Sequence, residues 1–284
     1  ANMPGLDDET LEQVVIASTK FAEEGALTLV QQFAASPSAK IREQVASNLR
    51  FNSAEKFNGK RELLVQLAQD QSPEVRKSAV GALTCYNDDQ QIVYWVANLS
   101  DSDPDAEVKG QCISSLAFAH HHGMGEVSLA VFEKHAGNEA ASVRKQVARN
   151  LSNQPKPAMQ RIWGIAQRLA QDPDEEVRST LAFEFRNMSD MPQLLPIVQG
   201  MAQNDPSAEV RKDALGGMAA LMQPAQVAQY FGQMMQGAQT EDDQYTILNA
   251  VRQHSENAQI KQLLTHLGQS QYPNVAQAAR EAMS

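Results

Sequence analysis

The sequence predicts an all-α fold, an α-α superhelix (solenoid) of about eight helix hairpins with an irregular N-terminal cap. Three observations predict it. The stretch Asp172-Pro173-Asp174-Glu175-Glu176-Val177-Arg178, an acidic run with a proline that leads into a branched apolar residue and a base, recurs along the chain. Its anchors Ile41, Val75, Val108, Val143, Val177 and Val210 stand 34, 33, 35, 34 and 33 residues apart, the period of a helical-repeat array. Counted from each anchor, offset +4 is small or apolar and +8 is large and apolar. Offsets 0, 4 and 8 share one side of a 3.6-residue helix, so each anchor opens an amphipathic helix.

Taken in order, the chain begins irregularly, with helical patterns near 11–22 and 27–34 that precede the first anchor. Residues 1–34 are expected to form a cap or partial repeat, 35–238 the regular repeats and 239–284 two degenerate ones, all in a single continuous domain. At the same step the motif decays to Glu241-Asp242-Asp243-Gln244-Tyr245 and ends at Val275. Terminal repeats are where an array departs from consensus, because its ends expose apolar surface. Upstream of the anchors lie apolar stretches with helical spacing at 63–68, 92–99, 127–136, 162–170, 194–202, 227–235 and 260–267. Each repeat therefore reads as two helices. Asp103, Asp172 and Asp205, with Ser36 and Ser72, precede prolines and are expected to be N-caps, with proline at the first helical position. Asp105, Glu175 and Glu176 then favour the positive end of the helix dipole. Asn153-Gln154-Pro155-Lys156-Pro157 and Gln223-Pro224 punctuate the turns between hairpins.

Bulk properties bound the function. The chain has 284 residues, 42% of them apolar, and can bury a substantial core. With 24 Lys plus Arg against 34 Asp plus Glu, the net charge is −10, which disfavours unassisted attraction to phosphate backbones. Two cysteines, Cys85 and Cys112, are too few for a disulfide framework and read as small buried apolar residues in a reducing compartment. Cytoplasm is the expected location, while a secreted or periplasmic mature chain stays open. Ala1-Asn2 either precedes a native Met3 or follows the removal of a signal. No apolar run reaches the roughly 20 residues needed to span a bilayer.

Paired helices of this period, with Asp-Pro ahead of the second helix and Val-Arg within it, resemble the HEAT and HEAT-like repeats over about 27–283. Segments such as Val143-Arg144-Lys145-Gln146-Val147 are also similar to the leucine-rich repeat variant, whose repeat is shorter. The HEAT resemblance implies that second helices line the concave side. It also implies that Asp70, Asp103, Asp172 and Asp205 bridge neighbouring repeats with bases at +1 such as Arg76, Lys109, Arg178 and Arg211. The competing reading of that basic row is a strip for phosphates.

Candidate chemistry is sparse. His120-His121-His122-Gly123, with Glu126 and His135, invites a metal reading, but adjacent histidines cannot easily converge on one ion, and the glycine marks an exposed turn. The HEAT-like deoxyhypusine hydroxylases carry His-Glu pairs, and this chain has no His-Glu. The phycobilin lyase type offers no motif to check. The alkylpurine DNA glycosylase type places aromatic residues on a basic concave surface, whereas Trp95 and Trp163 fall at apolar offsets of first helices and read as packing residues. Methionines such as Met234 and Met235 read as core. No phosphate loop, catalytic triad order or metal-spaced cysteine pair occurs, so no catalytic residue, cofactor or metal is assigned.

What remains is the side of the second helices opposite the anchors, at offsets +2, +3, +6, +9 and +10. The candidate partner-binding residues are Arg50, Lys77, Lys145, Gln146, Arg149, Phe183, Arg186 and Lys212. Phe51, Phe118 and Phe183 are possible anchors, and Ser179 and Thr180 adjoin them. The expected function is a non-enzymatic scaffold whose concave face binds a partner protein or peptide, an acidic partner being one option. The alternative is a nucleic-acid-binding protein of the glycosylase type.

Overall fold

The computed structural model describes residues 13–18, 24–50 and 59–284, and among them every regular element is α or 3-10 helix. Residues 13–18 are helical. Two compact units follow one another, Ala1–Pro155 and Lys156–Ser284. The boundary falls within the Pro-Lys-Pro punctuation. In the first unit the hairpins are α1 (Glu24–Ala34) with α2 (Ala39–Leu49), α3 (Lys60–Leu67) with α4 (Pro73–Leu83), α5 (Gln90–Ser102) with α6 (Ala106–Leu116), and α7 (Gly125–His135) with α8 (Ala141–Arg149). In the second they are α9 (Met159–Ala170) with α10 (Glu175–Glu184), α11 (Leu195–Asn204) with α12 (Ala208–Leu221), α13 (Pro224–Met235) with α14 (Glu241–Val251), and α15 (Ala258–Leu267) with α16 (Pro273–Glu281).

Each unit has two layers, one of first helices and one of second helices. From α2 to α8, and from α10 to α14, successive second helices approach more closely than successive first helices do. The second-helix layer is therefore the inner side of each unit. The anchor columns supply the core between the layers: Val75, Val108, Val143, Val177 and Val210 are wholly buried, as are the +4 residues from Val45 to Ala279. Offset +5 is buried too, with Ala46, Val80, Ile113, Ala148 and Ala182 completing a stripe wider than the three-offset pattern. At the last repeat the +8 residue Met283 is only half-buried. In the seventh repeat the anchor position holds Asp243, and a capping box replaces it. The Asp243 amide donates to Thr240 Oγ1 at 3.1 Å and the Thr240 amide to Asp243 Oδ2 at 3.2 Å.

Helix starts differ from the sequence expectation by two residues. The N-caps are Ser38, Asp105, Asp174 and Ser207, and only Ser72 caps with its proline, Pro73, at the first helical position. Asp105 accepts from the Glu107 and Val108 amides, and Asp174 from those of Glu176 and Val177. Asp103, Asp172 and Asp205 instead make the turn before the cap, each accepting the amide two residues on at 2.9 Å. Asn138 makes the same bond to Ala140 at 3.0 Å, and Asp70 to Ser72 at 2.8 Å. Caps and such turns draw on the same residue types, so the letters alone do not separate them.

Those aspartates carry the stacking interaction. Arg42 grips Asp70 with Nε and Nη2 at 2.6 and 2.7 Å, Arg76 grips Asp103 at 2.8 and 2.8 Å, and Arg178 grips Asp205 at 2.8 and 3.1 Å. Each Nη1 meanwhile donates to the carbonyls of its own turn, as Arg76 does to Asp70 and Gln71 at 2.9 and 3.2 Å. One guanidinium thus ties its own hairpin turn to the next. The ladder has gaps where the acid is missing. The turn after Lys109 presents Asn138, and Lys109 reaches back to the Asp101 carbonyl at 3.2 Å. Arg211 holds only its own turn, because Ala238 stands where the next aspartate would be.

The Arg42 hydrogen bonds hold the Asp70 carboxyl below its ordinary value. For Asp103 and Asp205 burial pushes upward, but the arginine and turn-amide hydrogen bonds outweigh it, and the net direction is down. A carboxyl depressed in the folded state stabilises the fold above its unfolded pKa of about 3.9, and the contribution vanishes as pH falls through the lower folded value. Replacing Asp103 with Asn keeps the turn acceptor but leaves Arg76 without its counter-charge, and should cost about 3 kcal/mol at pH 7. Denaturant titrations at pH 7 and below pH 4 should show this loss shrinking in acid. A second variant probes backbone packing. A Cβ on Gly217 would lie 2.6 Å from Phe185 Cβ and 2.8 Å from the Ala182 carbonyl oxygen, so Gly217→Ala should lower stability by about 1 to 3 kcal/mol in the same assay.

Candidate functional site

At offsets +2, +3, +6 and +9 the inner layer ranges from buried small residues such as Gly110, Ala117 and Ala219 to exposed side chains. Arg50, Lys77, Arg149 and Phe183 are exposed, whereas Lys145, Gln146, Arg186 and Lys212 are half-buried. Phe118 is exposed on the turn after α6, and Phe51 lies outside the described residues. The structure brings these candidates together in small groups within each unit.

In the first unit Arg50 and Lys77 line one polar cleft of about 420 Å³ with Glu43, Ser47, Glu74, Ser78, Gly81 and Gln111. Gly81 opens the space, and the Gln111 amide group fills part of it, 3.4 Å from where a Cβ would stand. Lys77 Nζ pairs with Glu107 at 3.0 Å and the Ser78 hydroxyl donates to Glu43 at 3.4 Å. Further along, the Ser114 hydroxyl donates to Gln146 Oε1 at 3.3 Å, and Asn150 Nδ2 donates to the Gln146 carbonyl at 2.9 Å. Amides and hydroxyls dominate this stretch of the surface.

In the second unit Phe183 is 53% exposed, and the Arg186 guanidinium lies 4.9 Å from its ring centroid. Lys212 pairs with Asp242 at 2.7 Å, which raises its pKa, and the Ser179 hydroxyl donates to Asp213 at 2.8 Å. Two lysines of the basic column thus already hold acids from the following repeat. Burial holds the Arg186 guanidinium below its ordinary value, with Asp213 opposing and Arg252 adding to the effect.

The outer layer holds features that sequence reasoning assigned to packing. Trp163 is 37% exposed and stands over a cleft of about 530 Å³ between α9 and α11, lined by Ile197, Gly200 and Met201 among others. Tyr94, at the equivalent position nine residues before its turn aspartate, is 49% exposed beside Val127 and Val131. The apolar offset was legible, but the wider spacing of first helices, which uncovers these rings, was not. Trp95 is half-buried. The glycines Gly81 and Gly216 were also missed. Their signal is a side-chain-free residue at +6, where the other regular repeats carry Ser47, Ser114, Arg149 and Phe183.

The histidines separate into a turn and a core residue. His120, His121 and His122 lie in a 3-10 turn closed by Gly123 at φ 79°, with the first two rings 3.9 Å apart. No group of three or more metal-ligating side chains converges among the described residues. His135 is buried, its Nε2 3.2 Å from both Ser100 Oγ and Asp101 Oδ1, and burial lowers its pKa against the opposing pull of Asp101.

Residues 61–152 match the HEAT repeats family. The crystal structure of YibA from Escherichia coli has the same fold, with a TM-score of 0.60 at 17% identity, covering 100% of this chain and 99% of that one. An engineered protein aligns at a TM-score of 0.45 and 19% identity over 76% of this chain and 97% of its own. A designed armadillo repeat protein aligns at 0.44 and 19% over 69% and 99%. No protein of curated function matches the sequence. No helix among the described residues is long and apolar enough to cross a membrane.

The two thiols do not share one environment. Cys112 sits wholly buried at +4 of its repeat, and burial pushes its thiol well above the ordinary range. Cys85, expected to be buried as well, is exposed on the 3-10 turn after α4. A maleimide reagent at pH 7.5 should label Cys85 alone in the native protein and both thiols after unfolding. Native labelling of Cys112, read by mass spectrometry of digests, would place the repeat register in error.

Proposed function

We propose that this HEAT-repeat chain is a non-enzymatic protein-interaction scaffold that receives a protein or peptide partner on its second-helix surface. The observation that supports this most is the contrast between columns. In the regular repeats anchor, +4 and +8 residues agree and are buried, while +2, +3, +6 and +9 differ from repeat to repeat and, apart from small residues such as Gly110, Ala117 and Ala219, remain accessible. Positions that carry packing converge on one chemistry. Positions that differ, on an inner face lined with hydrogen-bonding groups and an exposed Phe183, fit recognition along a stacked repeat surface.

The test is positional. A photo-crosslinking amino acid placed at Gln111 on the inner layer should yield a discrete protein adduct in extract of the source organism. The same group at Asn98 on the outer layer should not. Adducts from Asn98 alone, or from neither position, would overturn the assignment.

A further inference from the structure

Arg186 is placed unlike the arginines of the ladder. Arg42, Arg76 and Arg178 spend their guanidinium groups on carboxylates and turn carbonyls. Arg186 is half-buried, yet its Nε is sealed from solvent without a hydrogen-bond partner, and it alone among the guanidinium nitrogens of the described residues is so placed. Its terminal nitrogens are not sealed in this way. A half-buried cation with unmet donors is a costly arrangement that calls for a reason.

The seat of this side chain is built. A Cβ on Gly216 would fall 2.4 Å from the guanidinium carbon and from Nη2, so only glycine leaves room there. The Phe183 ring supplies an aromatic surface to the same group. Nearby charge is mixed: the Asp213 carboxylate, which accepts the Ser179 hydroxyl, favours the cation through its field, while Arg252 adds a second positive group.

Equivalent repeat positions line a related cleft in the first unit, where Gln111 and not the arginine lies against the glycine. Arg50 and Gly81 line one cleft there, as +9 and following +6 residues, and correspond to Arg186 and Gly216. The bonds around them recur as well. Lys77 with Glu107 corresponds to Lys212 with Asp242, and Glu43 with Ser78 corresponds to Ser179 with Asp213, with acid and serine exchanged. Exposed Phe183 takes the place of Ser47, so only the second unit offers a ring on which the guanidinium stacks.

We propose that Arg186, seated over Gly216 and stacked on Phe183, binds a side-chain carboxylate of an acidic peptide segment in the partner, with Arg252 as the second cation. The proposal rests on the reading of the inner layer as the partner surface. A planar carboxylate presents two oxygens to the open edge of a fixed guanidinium, and it adds a directly bonded counter-charge. Phe183 beside it gives the peptide an apolar contact.

The probe is hexaglutamate, acetylated and amidated at its ends, titrated against the whole chain. The readouts are the 15N-bound side-chain proton of Arg186 Nε, identified as the resonance lost in Arg186→Lys, and, for every variant, the heat of binding by titration calorimetry. Hexaglutamate should shift that resonance saturably, whereas chloride at equal ionic strength should not. Gly216→Ala, which displaces the tip of a flexible side chain rather than backbone, should keep the melting temperature and weaken binding by about tenfold or more. Phe183→Ala should weaken binding as well, and Arg186→Lys should lose most of it. No saturable shift, an equal shift with chloride, a stronger response to inorganic phosphate, or full binding by Arg186→Lys would each overturn the proposal. Failure here with inner-layer crosslinking intact removes the carboxylate site and leaves the scaffold reading standing. Saturable binding without crosslinking does the reverse.

Discussion

The bidentate pair between an arginine of one second helix and the aspartate of the next hairpin turn is the interaction on which the repeat geometry depends. In Arg76 and Asp103 both partners are largely shielded from water, and each also bonds the backbone of a turn. Burying two charges is costly unless their remaining hydrogen-bonding capacity is met. Here it is met, which fixes the offset of one hairpin against the next as apolar packing alone cannot. Leucine and valine side chains tolerate small slips, whereas a forked guanidinium on a carboxylate does not.

From that constraint follows a division of each second helix. Its buried stripe repeats, and the ladder pair repeats except at Lys109 and Arg211, where the next turn lacks the acid. The remaining stripe is free to differ, and the side chains there differ in size, charge and exposure. Lys77 and Lys212 show how this surface is restrained, since each holds an acid from the following repeat and so removes much of the basic character implied by a count of side chains. Arg186 Nε keeps no partner, and Asp213, which accepts the Ser179 hydroxyl, acts on the guanidinium through its field.

Period, helix pairing and core columns were legible in the sequence because each is a repeated statement about spacing, and the buried anchors Val75 to Val210 follow it. The ladder was legible in kind from its resemblance to HEAT repeats, while Arg42 to Asp70 had to be seen. Three features were not legible, each for a physical reason. Asp103 reads as a cap although it builds the preceding turn, because a carboxylate oxygen can accept an amide two residues on in either setting. Trp163 reads as core, because its offset is apolar and only the distance between first helices decides whether a neighbour covers it. Gly216 reads as a weak spot in a helix until the group that fills its empty space is known to be Arg186.

The central claim is that the arginine column is a structural ladder and not a recognition strip. A double-mutant cycle on Arg178 and Asp205, read as unfolding free energy in denaturant for Arg178→Met, Asp205→Asn and the pair, measures it directly. The ladder predicts a coupling of about 2 kcal/mol, with the double variant losing far less than the sum of the singles. Additive losses, with coupling near zero, would contradict it and return the column to the side chains available for binding.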